Sequence, residues 1–105
     1  MSVDVSVVIC TWNRAGLLDQ TLARLGELRV PDGVTWELVV VNNNCTDDTD
    51  AVIGRHQGRL PLRRLFEPKQ GHSNARNCAV RHAAGELLLW TDDDVLVAPD
   101  WLAGR

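Results

Sequence analysis

Short, nearly unbroken apolar runs alternate along the chain with segments whose apolar positions recur every three or four residues. Val5-Ser6-Val7-Val8-Ile9-Cys10 is β-branched and almost continuously apolar, the pattern of a strand covered on both faces. Leu17, Leu18, Thr21, Leu22, Leu25 and Leu28 then fall on one helical stripe. Pro31-Asp32-Gly33 marks a turn, and Trp36 to Val41 predicts a second buried strand. Thr46 is placed to cap the next helix, with Asp47 and Asp48 in its first turn, where the helix dipole favours acids. That helix is expected to run to about Gln57, before Gly58. Leu62 to Phe66 predicts a short third strand whose arginines suit an edge and a solvated surface, together with Arg59. Ser73 is placed to cap a third helix, with Ala75, Cys78, Ala79, His82 and Ala83 on one face. Gly85 ends it, and Glu86 to Thr91 forms a fourth strand.

The order β-α-β-α-β-α-β predicts an α/β fold: a Rossmann-like parallel sheet flanked by helices, with right-handed crossovers. Ligands of such sheets bind beyond the carboxyl ends of the strands. Three polar clusters follow strands there: Thr11-Trp12-Asn13-Arg14, Asn42-Asn43-Asn44 and Asp92-Asp93-Asp94. They are expected to converge on one edge.

Length and composition narrow the possibilities. The 105 residues suit one domain, and 45% apolar with 24% charged residues is an ordinary globular balance. Eleven Lys+Arg against fourteen Asp+Glu leave a net charge of −3, which disfavours a general nucleic-acid binder. No apolar run approaches the ~18 residues of a membrane span. The N-terminus lacks a basic segment followed by a long apolar one, so it does not read as a signal peptide. Cys10, Cys45 and Cys78 are scattered, odd in number and without a CxxC, as in a reducing compartment. The expected location is the cytoplasm or the cytoplasmic face of a membrane.

Each cluster carries its own chemistry. On an extended segment Asp92 and Asp94 face one way, roughly 6.6 Å apart, and unneutralised carboxylates at the end of an apolar strand repel each other. A bound Mg²⁺ or Mn²⁺ removes that repulsion; a solvated acidic turn accounts for the cluster equally well. The Asn43 amide offers a donor and an acceptor to a nucleobase edge, while Asn44 and Thr46 suit a tight loop and a cap. Trp12 is suited to pack over a base or ribose, or to cover the end of the sheet. Neither GxGxxG nor a P-loop Lys is present, which disfavours dinucleotide binding and P-loop hydrolysis. Arg76, expected in the first turn of the third helix, is a cation where the dipole disfavours one; it reads as facing a phosphate or the Asp cluster, or as an exposed arginine. His72 reads as a solvated loop residue, and His56 and His82 have no metal-ligand spacing. No GxSxG elbow or cysteine signature points to nucleophilic catalysis.

Four segments together resemble the N-terminal half of inverting family 2 glycosyltransferases of the GT-A fold. They are Val5 to Arg14, Glu37 to Thr49, Gly71-His-Ser-Asn-Ala-Arg-Asn77 and Gly85 to Asp94, in the family's order and covering nearly the whole chain. The resemblance implies that Cys10, Thr11, Trp12, Asn13 and Arg14 flank the nucleoside, with Trp12 against the base. It implies that Arg76 lies near the nucleotide, and that Asp92, Asp93 and Asp94 form the DXD motif. There Asp94, with Asp92, would hold Mn²⁺ or Mg²⁺ and through it the diphosphate of a nucleotide sugar. Asn43 matches a position that commonly holds an aspartate reading uracil, so another base becomes plausible and Asn43→Asp is expected to move preference toward uridine. Family members are longer, and the resemblance places the acceptor pocket and the general base outside residues 1–105. The chain is therefore expected to be a donor-binding half, truncated at its C-terminus, inactive alone and able to pair with a second copy through an exposed sheet edge. A non-catalytic nucleotide-binding module and a nucleotidyl transferase are the competing readings; the latter usually needs a Gly-rich basic loop that is absent here.

Overall fold

The computed structural model describes residues 3–27 and 33–91. Within them lie β1 (Val3–Thr11), α1 (Ala15–Leu25), β2 (Trp36–Asn42), α2 (Thr49–His56), β3 (Leu62–Phe66), α3 (His72–His82) and β4 (Gly85–Thr91). The four strands form one parallel sheet in the order β3-β2-β1-β4. The predicted α/β class and every predicted element are present. No helix among the described residues is long and apolar enough to cross a membrane.

Alternation along the two central strands divides the core into two layers, because successive side chains point to opposite faces. Val5, Val7 and Ile9 of β1 and Leu38 and Val40 of β2 pack with Leu18, Leu22 and Leu25 of α1 and Val52 and Ile53 of α2. Val8, Val39 and Val41 face the other way onto Ala75, Cys78 and Ala79 of α3. Small residues on α3 let that helix lie close to the sheet. Each fully buried Leu, Ile or Val stabilises the fold by roughly 1.5–3 kcal/mol.

Helix boundaries depart from the sequence expectations in instructive ways. α2 starts at Thr49, not at Thr46; its N-cap position, Asp48, makes no side-chain cap bond, and Asp47 just before it serves instead, its Oδ1 accepting from the Thr49 amide at 3.1 Å and from the Thr49 hydroxyl. α3 starts at His72 behind Gly71, so Ser73 lies inside the helix and makes no cap. Arg76 accordingly sits at the start of the second turn rather than in the first. In α1 the stripe is Leu18, Thr21, Leu22 and Leu25, while Leu17 is 42% exposed. Leu28, Pro31 and Asp32 lie outside the described residues.

The arginines of β3 are not a merely solvated edge. Arg63 pairs with Glu37 at 2.9 Å and donates to the His82 carbonyl; Arg64 pairs with Asp50 at 2.9 Å. Arg59 donates to His56 Nδ1 at 2.8 Å, and the opposite nitrogen of that buried ring donates to Asp19 at 2.7 Å. His56 thus engages both of its ring nitrogens, Nε2 joining α2 to α1.

Candidate functional site

The site is built at the carboxyl edge of the sheet, where β1 and β2 stop in register at Thr11 and Asn42. Both chains then turn sharply, with Asn13 at φ 52° and Asn44 at φ 61°. Asparagine tolerates this left-handed backbone better than most side chains, since its short amide bonds locally.

The two turns are bonded to each other. Asn13 Oδ1 accepts from the Thr46 amide at 2.7 Å, and Asn42 Oδ1 accepts from the Cys45 amide at 2.8 Å. The Cys45 thiol donates to the Thr11 carbonyl at 3.4 Å and accepts from the Asn13 amide at 3.3 Å. Asp47 completes the clamp. One oxygen caps α2, and the other accepts from the Ala15 amide at the start of α1, 3.1 Å away. Burial pushes this carboxyl up, but the Thr49 and Ala15 donors outweigh it and hold Asp47 below the usual carboxylate range. Two helix N-termini, each with unsatisfied amides, therefore share one acid.

Above the strand ends lies a cavity of about 440 Å³, within the range of small-ligand sites. Cys10, Thr11 and Trp12 form the β1 side; Asn43 forms the β2 side; Gln70, Gly71, His72 and Ala75 form the far wall. Trp12 is 52% exposed, so its ring is available to a ligand instead of sealing the sheet. Asn13 and Arg14 belong to the turn beside it and are exposed. Cys78, by contrast, is buried in the α3 layer, and burial raises its thiol pKa.

The described part of the site brings together Cys10, Thr11, Trp12 and Asn43 around one cavity. Arg76, one turn along α3, lies over the Trp90 ring with its guanidinium carbon 4.5 Å from the centroid, a cation–π contact. Asp92, Asp93 and Asp94 lie outside the described residues. Among the described residues, no three His, Cys, Asp or Glu side chains gather as metal ligands. The far wall was not anticipated as a cavity surface. The rule about strand carboxyl ends applies equally to β3, whose following loop runs into residues 67–72; with the single acid Glu67 and no cluster of acids or asparagines, that loop gave no chemical signal.

The sheet order and the two helical layers are those of an α/β domain of the GT-A type, with the cavity at the carboxyl edge of its sheet. The chain belongs to glycosyl transferase family 2, whose model matches residues 6–104. It is 36% identical over 100 residues to a validoxylamine A glucosyltransferase of Streptomyces hygroscopicus subsp. jinggangensis, a match covering 93% of this chain and 24% of that protein. Among solved structures, the mannosyltransferase PcManGT from Pyrobaculum calidifontis, in complex with GDP-Man and Mn²⁺, superposes with a TM-score of 0.86 at 34% identity. That match covers 98% of this chain and 31% of PcManGT. Staphylococcus aureus TarS in complex with UDP gives 0.88 at 26% identity, covering 97% of this chain and 30% of TarS. The chain thus spans about a quarter of the curated glucosyltransferase and under a third of these two structures.

Proposed function

We propose that these 105 residues bind the nucleotide-sugar donor of an inverting glycosyltransferase. The observation that carries this reading is the cavity between Trp12, Asn43 and the Gly71–His72 wall at the carboxyl edge of the sheet. It has the size of a small-ligand site and an exposed aromatic on one side. Cys10 to Arg14 flank the nucleoside, Trp12 packs on the base, and Asn43 lies beneath it. Arg76, held over Trp90, presents positive charge beside the diphosphate. Support for a nucleotide-sugar ligand comes from the complexes of the similar proteins, TarS with UDP and PcManGT with GDP-Man.

The donor chemistry of Asp92 and Asp94 fits a hard divalent cation. They follow Thr91, the last described residue of β4, which pairs with Ile9 one position before Cys10 of the cavity. Mn²⁺ or Mg²⁺ held there would neutralise the diphosphate and its departing charge. Transfer then forms a bond from an acceptor hydroxyl oxygen to the anomeric carbon as the bond to the diphosphate oxygen breaks. The electron pair leaves with the nucleoside diphosphate. The hydroxyl proton passes to a carboxylate base that this reading places outside residues 1–105.

A thermal-shift comparison tests the reading. Mn²⁺ and a nucleoside diphosphate together are expected to raise the Tm more than the sum of either alone, because the acidic cluster repels diphosphate without a cation. Asp94→Ala is expected to abolish the metal-dependent part. Equal shifts in wild type and variant would reduce the cluster to a solvated turn.

A further inference from the structure

The far wall of the cavity is tied to the sheet by one side chain. Asn43 is 5% exposed, and its Nδ2 donates to the carbonyls of Glu67 at 3.1 Å and Lys69 at 3.0 Å, while Oδ1 accepts from the Gly71 amide at 3.0 Å. These partners fix which way the amide points. Turned over, its oxygen would face two carbonyl oxygens and its NH₂ an N–H. The Asn43 backbone amide in turn donates to the Thr11 carbonyl at 3.0 Å, seating the side chain against the end of β1. Gly71 has φ 135°, and a Cβ there would lie 3.1 Å from Asn74 Nδ2. The wall therefore includes a backbone conformation that L side chains rarely adopt, held in place from Asn43.

We propose that Asn43 is a positioning residue for the nucleotide site, a latch that sets where Gln70, Gly71 and His72 stand and hence the width of the cavity for any nucleoside diphosphate. An amide is the group the latch requires, because two carbonyls need two donors. A carboxylate at this position has none, and would face both carbonyl oxygens with only the Gly71 N–H in its favour. Protonated, the same carboxyl regains one O–H for one carbonyl while its other oxygen still accepts from Gly71.

The ligand arm of this inference rests on the proposed function; the latch itself does not. Calorimetry of UDP and GDP with Mn²⁺ is done on wild type, Asn43→Asp and Asn43→Ala at pH 5.5 and 8. At pH 8, Asn43→Asp is expected to bind both nucleotides roughly tenfold or more weakly than wild type, with the UDP-to-GDP ratio unchanged. Its deficit is expected to shrink severalfold at pH 5.5, whereas that of Asn43→Ala stays the same. The titratable groups around position 43 are the Glu67 carboxylate, which accepts from the Lys69 amide and lies 3.6 Å from Arg81, together with Lys69, His72, Cys10, Cys45 and Arg76. Wild type carries them all, so the ratio of variant to wild type isolates position 43. An altered UDP-to-GDP ratio with no recovery in acid would make Asn43 a base reader and overturn the latch.

Amide exchange of the ligand-free protein gives an independent arm. Asn43→Ala is expected to speed Gly71 exchange at least roughly tenfold, while Val8 and Val40 in the β1–β2 ladder keep wild-type rates and so report an intact fold. Unchanged Gly71 exchange would overturn the latch even if nucleotides bind. Wild type that fails to bind nucleotide, with Gly71 protected by Asn43, would defeat the proposed function and leave the latch standing.

Discussion

A methyl group added at Gly85 would collide with the Ser6 amide nitrogen and lie 2.7 Å from the Val5 carbonyl carbon. Both obstacles are backbone of the central strand, which cannot step aside without breaking its ladders to β2 and β4. Gly85→Ala is therefore expected to cost roughly 2–3 kcal/mol. Gly54 is the internal contrast: it lies within α2, and its Cβ would meet nothing within 4 Å. There, alanine is expected to stabilise by about 0.5–1 kcal/mol, because glycine loses more backbone entropy in a helix. Urea denaturation of the two variants checks both signs. Arg76 teaches the same lesson about neighbours. Its charge was legible as unusual, but the ring beneath it belongs to Trp90, fourteen positions along the chain, and only the fold makes them adjacent.

Two carboxylates join elements that the chain leaves separate. Asp47 joins the starts of α1 and α2 at the cavity edge. Glu37 does the same at the opposite edge, accepting from the Ser6 hydroxyl at 2.6 Å, the Ala84 amide at 2.7 Å and Arg63 at 2.9 Å. It thereby anchors the α3–β4 connection to β2 and β3. Burial pushes the Glu37 carboxyl up, yet these three donors together hold it below the ordinary 4.5. A carboxyl lowered in the folded state contributes stability that is complete above its unfolded value and is lost as pH falls through the folded one. Asp47, Asp50 and Asp19 are lowered as well, from 3.8, Asp50 chiefly by Arg64 and Asp19 chiefly by the His56 hydrogen bond. The dependence of stability on these groups is thus expected to be flat above about pH 5.5 and to fall steeply below about 4.5. Glu37→Gln is expected to lessen that fall while lowering stability at pH 7, as a series of denaturation midpoints would show. Asp47→Ala, which leaves two helix starts uncapped, is expected to cost about 1–2 kcal/mol. An effect under roughly 0.5 kcal/mol would mean that the two loops hold each other without it.

At the scale of the whole molecule, β4 is an end of the described sheet, and Leu87 on it is 48% exposed. A strand edge with unpaired amides and carbonyls is a template for another strand. The 105-residue chain by itself is expected to self-associate through β4, and Leu87→Lys to shift it toward monomer, as measured by light scattering across concentration. A concentration-independent monomer in the wild type would defeat this expectation.

What the amino-acid sequence determined by itself was the order and type of the elements and two of the three sides of the cavity. Those signals are local. Val7, Val8 and Ile9 are apolar in succession because both faces of β1 are covered, and the polar residues after β1 and β2 mark where those strands leave the core. Helix starts were less legible, because the donor and acceptor that define a cap need not be neighbours. Asp47 serves Ala15 across 32 positions, so α2 could begin later than Thr46. The arginines of β3 looked solvated because their partners, Glu37, Asp50 and the His82 carbonyl, are distant in the chain. Only the tertiary structure decided that residues 70–72 form the far wall and that the Asn43 amide is spent on holding it. A backbone carbonyl carries no mark in the sequence, and whether it faces a given side chain depends on how two crossover connections pack against one sheet edge.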